Sequence, residues 1–145
     1  MTAKSAFEQE HAAPPELRFA LEAIGNPVSK TKSSILFRRG DKPVGVFVVR
    51  KGKVSLDLDG SKVASRTLGP GSVLGLPATL TGKPYSLTAT VARDCELDFI
   101  PRRAALRLLH ENSFLCFQAL RILGSEISDM RGALDKLLNC RPQVT

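Results

Sequence analysis

Side chains able to do chemistry are few in this sequence, and they do not cluster. It has two histidines, His11 and His110, and three cysteines, Cys95, Cys116 and Cys140, with none of the short spacings a metal site uses. A metal oxygenase needs clustered imidazole and carboxylate ligands. No metal ligand and no catalytic residue is therefore assigned, and the chain reads as a non-enzyme. One stretch has a chemical character of its own, LGPGSVLGLPATLTGKPYSLTATV from Leu68 to Val91. A tight turn at Gly69-Pro70-Gly71 leads through a short apolar strand to Gly75-Leu76-Pro77, which opens an Ala/Thr/Leu turn. Gly82-Lys83-Pro84 breaks it, and an alternating segment begins at Tyr85. A glycine that lets the backbone approach closely, followed by a helical turn with outward N–H groups, can cradle an anion.

The elements that position this stretch are written in three codes. Residues 1–13 are polar and aperiodic, an arm. Pro14-Pro15 opens a short helix carrying Leu17, Leu21 and Ile24, stopped by Gly25. From Pro27 to Ile100 the code is strands and turns. Ile35-Leu36-Phe37 is followed by Val44 to Val49, turned back at Lys51-Gly52; Val54 to Leu58 then alternates and turns at Asp59-Gly60. Val63 to Leu68 returns, and Tyr85 to Val91 and Cys95 to Phe99 alternate after the central turn. Short strands at even spacing predict a sandwich, jelly roll or barrel. Cys95 falls on the apolar face of its strand and is explained as a small buried hydrophobe.

A third code begins at Pro101, which leads a short basic helix with Leu106 and Leu109 inward. Asn112 or Ser113 can cap the next helix. In it Cys116, Leu120, Leu123, Ile127, Met130, Leu134 and Leu137 fall at alternating spacings of four and three, an a/d seam. A helix of roughly 26 residues is about 39 Å long, more than a roll of this size covers. Its first half is expected on its own sheet and its second half against the same helix of a second copy, as a parallel homodimer. Gly124 and Gly132 each lower helix propensity by about 1 kcal/mol. The resulting division is 1–13 arm, 14–110 roll with short helices, 111–140 long dimerisation helix and 141–145 tail.

With 145 residues the chain can bury roughly 68–70% of its unfolded surface, so it needs no disulfide or metal staple. The formal charge is +7, densest from Lys30 to Lys53 on strand edges and turns, and reads as a solvated face. Seven Phe and one Tyr are too few for a base-stacking platform, so only weak, non-specific attraction to nucleic acid is expected. No signal peptide, apolar span or lipidation motif is read, which places the protein in the cytoplasm and off the membrane.

The order of elements resembles the cyclic-nucleotide-binding domain, in particular the sensor half of bacterial catabolite-activator (Crp/Fnr-like) regulators. SSILFRRGDKPVGVFVVRKGKVSLDL, LGPGSVLGL and CELDFIPRRAALRLLHEN carry the likeness, which extends from about Pro14 to Leu138. It implies a mainly β fold with flanking helices, a β-roll (jelly roll) followed by the long dimerisation helix. It also implies a ligand phosphate at the Gly75 turn. The family pattern there is Gly-Glu, a helical turn, then Arg and a small residue; the Glu accepts from the ribose 2′-hydroxyl and the Arg pairs with the phosphate. Gly75 and Ser86 match, whereas Leu76 stands at the Glu position and Tyr85 at the Arg position, and Pro77 removes an N–H. Losing a charge-assisted pair and an acceptor should cost roughly 10²–10⁴ in affinity. Lys83 can supply a cation, Tyr85 one hydrogen bond, and Arg131 a contact to the base. The candidate pocket is Gly75, Leu76, Lys83, Tyr85, Ser86 and Arg131. The resemblance implies a regulatory, ligand-sensing module with a degenerate phosphate motif. It would lack the helix-turn-helix that follows the long helix in those regulators. The alternative is a genuine cyclic AMP or cyclic GMP binder with non-standard pocket residues. No other cofactor is expected beyond a cyclic nucleotide or another small ligand.

Overall fold

Two long antiparallel strands carry the architecture. The computed structural model describes residues 13–58 and 66–123. In chain order the strands are β1 (Asn26–Lys30), β2 (Ile35–Phe37), β3 (Gly45–Asp57), β4 (Arg66–Leu68), β5 (Val73–Leu74) and β6 (Thr88–Pro101). The helices are α1 (Pro15–Ile24), α2 (Leu76–Thr81), α3 (Arg102–Glu111) and α4, residues 113–123. The sheet runs β1-β6-β3-β4, with β2 also on β6 and β5 also on β3. This is the mainly β roll with flanking helices expected from the sequence.

β3 and β6 pair from Gly45 opposite Pro101 to Asp57 opposite Thr88. The sequence reading turns the chain back at Lys51-Gly52; β3 instead continues through it. The register slips between Val49 and Val54, and Gly52 takes φ +97°. A Cβ there would lie 2.3 Å from the Asp94 carbonyl oxygen, so only glycine lets the two strands stay in contact while bending. A bulge interrupts the alternation of side chains much as a turn does, and the sequence does not separate the two. Likewise the segments around Val91 and Cys95 form one strand, β6, and Tyr85 precedes it.

Bending the ribbon gives the sheet an inner and an outer face, and β3 serves both through its period of two. Phe47 and Val49 point into an inner core with Phe37, Val54, Leu74 and Leu97. Val46 and Val48 point to an outer core with Leu17 and Leu21 of α1, Leu76 of α2, and Ala105 and Leu109 of α3. α1 presents Leu17 and Leu21, four residues apart and fully buried, while Ile24 in its last turn stays 41% exposed. Ala13, the last residue assigned to the arm, is buried and its amide donates to the Gly71 carbonyl at 3.1 Å. Asn112 caps α4, its Oδ1 accepting from the Leu115 amide at 3.1 Å. No helix among the described residues is long and apolar enough to cross a membrane.

Candidate functional site

The turn that opens the site is tied to β3 from both sides. Gly71 donates to the Val49 carbonyl at 2.8 Å and Val49 to that of Ser72 at 3.0 Å. β5 then pairs Val73 with Val48 and Leu74 with Phe47, which delivers Gly75 against Gly45. At Gly75 φ is +83°, and a Cβ would meet both the Gly45 carbonyl oxygen and the Tyr85 ring at 3.0 Å. Conformation and close approach therefore both demand glycine. Gly75 caps α2, whose first intrahelical bond runs from the Thr79 amide to the Gly75 carbonyl at 3.1 Å. Pro77 has no N–H, so the first turn carries the amides of Leu76 and Ala78 alone.

Tyr85 is the pin that holds this turn to the roll. Its ring stacks on Phe37 at 4.0 Å between centroids. Its hydroxyl accepts from the amides of Val44 at 2.9 Å and Gly45 at 3.2 Å, and donates to the Gly45 carbonyl at 3.0 Å. Those three bonds commit the hydroxyl to the backbone of β3 and its approach. Its own amide donates to Asp41 and its carbonyl accepts from Gly40, which fastens the loop after β2.

Between the inner face and α4 lies a cavity of about 60 Å³. Phe37, Leu56, Leu74, Pro77, Tyr85 and Leu87 form much of its wall, and Ala13 and Ile122 also line it. Gly75, Tyr85 and Ser86 of the sequence candidates line it together. Leu76 does not: its side chain is fully buried in the outer core, behind the turn. Lys83 is exposed after the Gly82 break and is absent from the wall. Arg131 lies outside the described residues.

The sequence reading missed Arg66, which does line the cavity. The signal was present in the period of β4. Leu68 faces the inner core, Arg66 is two residues earlier on the same face, and the pair oppose Val54 and Leu56 across the ladder. Among the described residues Arg66 is the one cation on the cavity wall, and Ser86 the one hydroxyl besides Tyr85.

On α4, Leu115 and Ala119 are buried against the outer core and Cys116 is half-buried against it. Leu123 is half-buried and Leu120 is 52% exposed. Phe114 and Phe117, outside the expected seam, are also exposed and extend the apolar surface at Leu120 by steps of three. Ile127, Met130, Leu134 and Leu137 lie outside the described residues, as do Cys140 and His11. Cys95 is buried on the inner face, its thiol donating to the carbonyls of Arg93 at 3.1 Å and Lys53 at 3.3 Å. Burial raises its pKa, and the nearby Asp94 charge adds to the rise. No group of three His, Cys, Asp or Glu side chains able to hold a metal occurs among the described residues.

A family model described as the cyclic nucleotide-binding domain matches residues 27–112. The cAMP-dependent protein kinase regulatory subunit of Eremothecium gossypii is 37% identical over 84 residues, covering 58% of this chain. The chain spans 18% of the length of that curated relative. A solved structure concerned with a cyclic-GMP-dependent signalling pathway in bacterial phytopathogenesis superposes with a TM-score of 0.71 at 25% identity. That match covers 82% of this chain and 98% of the other. The Thermus thermophilus catabolite activator protein has the same TM-score at 24% identity, over 88% of this chain and 61% of its own. The last likeness is one of fold.

Proposed function

Because the chain belongs to the cyclic nucleotide-binding domain family, we propose that it is a ligand-sensing regulatory module without catalysis, whose phosphate turn has lost its charged pair. One observation carries this reading. Ile122 of α4 lines the same cavity as Gly75, Ser86 and Arg66, so a ligand between them touches roll and helix together. About 60 Å³ is room for a few waters, and a larger ligand seated there meets Ile122. Binding is then linked to the position of α4, a two-state element. The exposed Phe117 and Leu120 support the further proposal that α4 and the seam beyond it pair with a second copy. In a dimer of that kind ligand occupancy biases how two helices meet.

Calorimetric titration of the purified protein with cyclic AMP and cyclic GMP at low salt tests the ligand side. The expected result is no binding below the millimolar range, from the roughly 10²–10⁴ loss that the missing carboxylate and guanidinium imply. Micromolar binding would instead establish the second reading, a true cyclic-nucleotide binder. The presence of Arg66 and Ser86 on the cavity wall favours that alternative. Sedimentation equilibrium tests the assembly: a dimer that Leu120→Glu dissociates is expected, and a monomeric native chain would sink it.

A further inference from the structure

Two loops far apart in sequence are laid side by side at one end of the roll. The Arg39 amide donates to the Thr88 hydroxyl at 3.0 Å. The Gly40 amide donates to the Tyr85 carbonyl at 2.9 Å, and the Tyr85 amide to that of Asp41 at 3.0 Å. The two segments therefore run in opposite directions, which brings Lys42 level with Lys83 and Pro84. Both lysines are exposed, and neither has an ion pair among the described residues. Like charges set opposite one another are unfavourable. Arg38 is exposed on the same loop as Lys42. Arg102 joins the two loops: its amide donates to the Val44 carbonyl and its Nε to that of Thr79, both at 3.0 Å, and its guanidinium lies beside Gly82. Asp41 is the sole acid of residues 38–45 and 82–88, and its carboxylate accepts from the Arg38 amide at 3.3 Å. α3 starts here with no acidic residue in its first turn, so its end adds to the positive potential.

Among these cations Val44 is 57% exposed, and Pro84 is exposed on the facing loop. The Tyr85 hydroxyl holds the Val44 and Gly45 amides, so the surface is ordered before a partner arrives. Phe37 and Tyr85, the aromatic rings at these loops, are buried and offer no face on which a base could stack. We propose that this end of the roll docks an acidic protein segment that carries an aliphatic side chain among its carboxylates. The carboxylates meet Arg38, Lys42 and Lys83, and the aliphatic side chain covers Val44. A nucleic acid would answer the charge but make no use of Val44. The proposal goes beyond the ligand-sensing reading and does not depend on what fills the cavity.

A short peptide of glutamates around a central leucine is titrated into the native chain and followed by NMR amide shifts. The salt is about 0.1 M, where exposed charges more than about 10 Å apart are screened. Comparison peptides carry glutamine for every glutamate, or glycine for the leucine, and a single-stranded oligothymidylate is the nucleic-acid probe. Shifts are expected at Gly40, Asp41, Lys42, Val44 and Lys83. Affinity should fall at least about tenfold for the glutamine peptide and roughly threefold for the glycine peptide. Lys42→Glu with Lys83→Glu should weaken binding of the leucine peptide about tenfold. Lys30→Glu with Lys32→Glu, an exposed pair beside Cys95 and Asp94, should weaken it less than about twofold. The ratios among the peptides are measured on the native chain, so they decide the matter even where a variant does not fold. Equal losses in the two double variants would mean attraction by net charge alone and would overturn the proposal. So would glutamine or glycine peptides that bind as well as the leucine peptide, no binding of that peptide, or shifts confined to other surfaces. Tighter binding of the oligothymidylate at these same amides would overturn it in favour of a nucleic acid.

Discussion

The two faces of the bent sheet are built from the same strands and have come to opposite ends. On the outer face every helix contributes a buried side chain: Leu21 from α1, Leu76 from α2, Leu109 from α3 and Ala119 from α4. That core draws on all four of them. The inner face is lined by equally apolar residues, yet it keeps a cavity and admits Arg66 to its wall. Because β3 alternates Val46 and Val48 outward with Phe47 and Val49 inward, the two cores share a backbone but no side chains. Ligand chemistry can therefore be rewritten on one face while the helices hold the fold on the other. The position of Leu76 illustrates it. Where the resemblance places a ligand-binding carboxylate, this chain has a leucine that joins the outer core.

The largest expected effect tests that separation directly. Leu21→Ala removes a fully buried side chain from the outer core and should lower stability by about 2–5 kcal/mol in urea denaturation. Leu87→Ala removes a half-buried side chain beside the cavity. It should cost less than about 2 kcal/mol, below the range for full burial. Equal costs would mean that the inner face is packed as tightly as the outer one, and the comparison would break.

Tyr85→Phe comes next. It keeps the ring stacked on Phe37 but leaves the Gly45 amide and carbonyl without their buried partner. A loss of about 1–3 kcal/mol is expected from thermal unfolding. Ligand binding should survive in the folded fraction, since the hydroxyl is already committed to the Val44 and Gly45 backbone. Asn112→Ala, which removes the α4 cap, should cost about 1 kcal/mol. If Ile122 is held by the cap, this change should also loosen the cavity mouth, read as faster amide exchange at Ser86.

The roll, its flanking helices and the Gly75 turn were legible in the sequence because periodicity and glycine placement report local backbone directly. Cys95 as a buried residue was legible for the same reason, and the α4 cap was narrowed to Asn112 or Ser113, of which Asn112 is the one bonded to the Leu115 amide. The run through Gly52 was not, since a bulge and a turn both reset the alternation. Leu76 enters the expected pocket because it stands at the family's Glu position and Lys83 because it is near along the chain, but α2 turns the first into the outer core and leaves the second in solvent. Arg66 went unnoticed because a cation in a strand reads as solvent-facing. Only its phase relative to Leu68 reveals that it points inward. The site is a product of tertiary closure, and closure is what a linear pattern reports least.

Cys95 offers the smallest effect and the finest probe of the inner face. Its thiol is buried and donates to two strand carbonyls, and burial raises its pKa above the ordinary thiol value. In the unfolded chain the thiol releases its proton near pH 8.5. Above that pH the folded chain still holds a proton that the unfolded chain has lost, so the native state binds more protons. Stability then falls as pH rises, and the contribution is fully present below the ordinary thiol pKa. Urea denaturation of the native chain and Cys95→Ala between pH 8 and 10 isolates this dependence by difference, because every other titrating group is common to both. The native chain should lose stability more steeply with pH than Cys95→Ala. Parallel slopes would mean that the folded thiolate is as well solvated as the unfolded one. Water would then reach the inner core well beyond the Arg66 cavity, and the inner face would be open along its length instead of at one place.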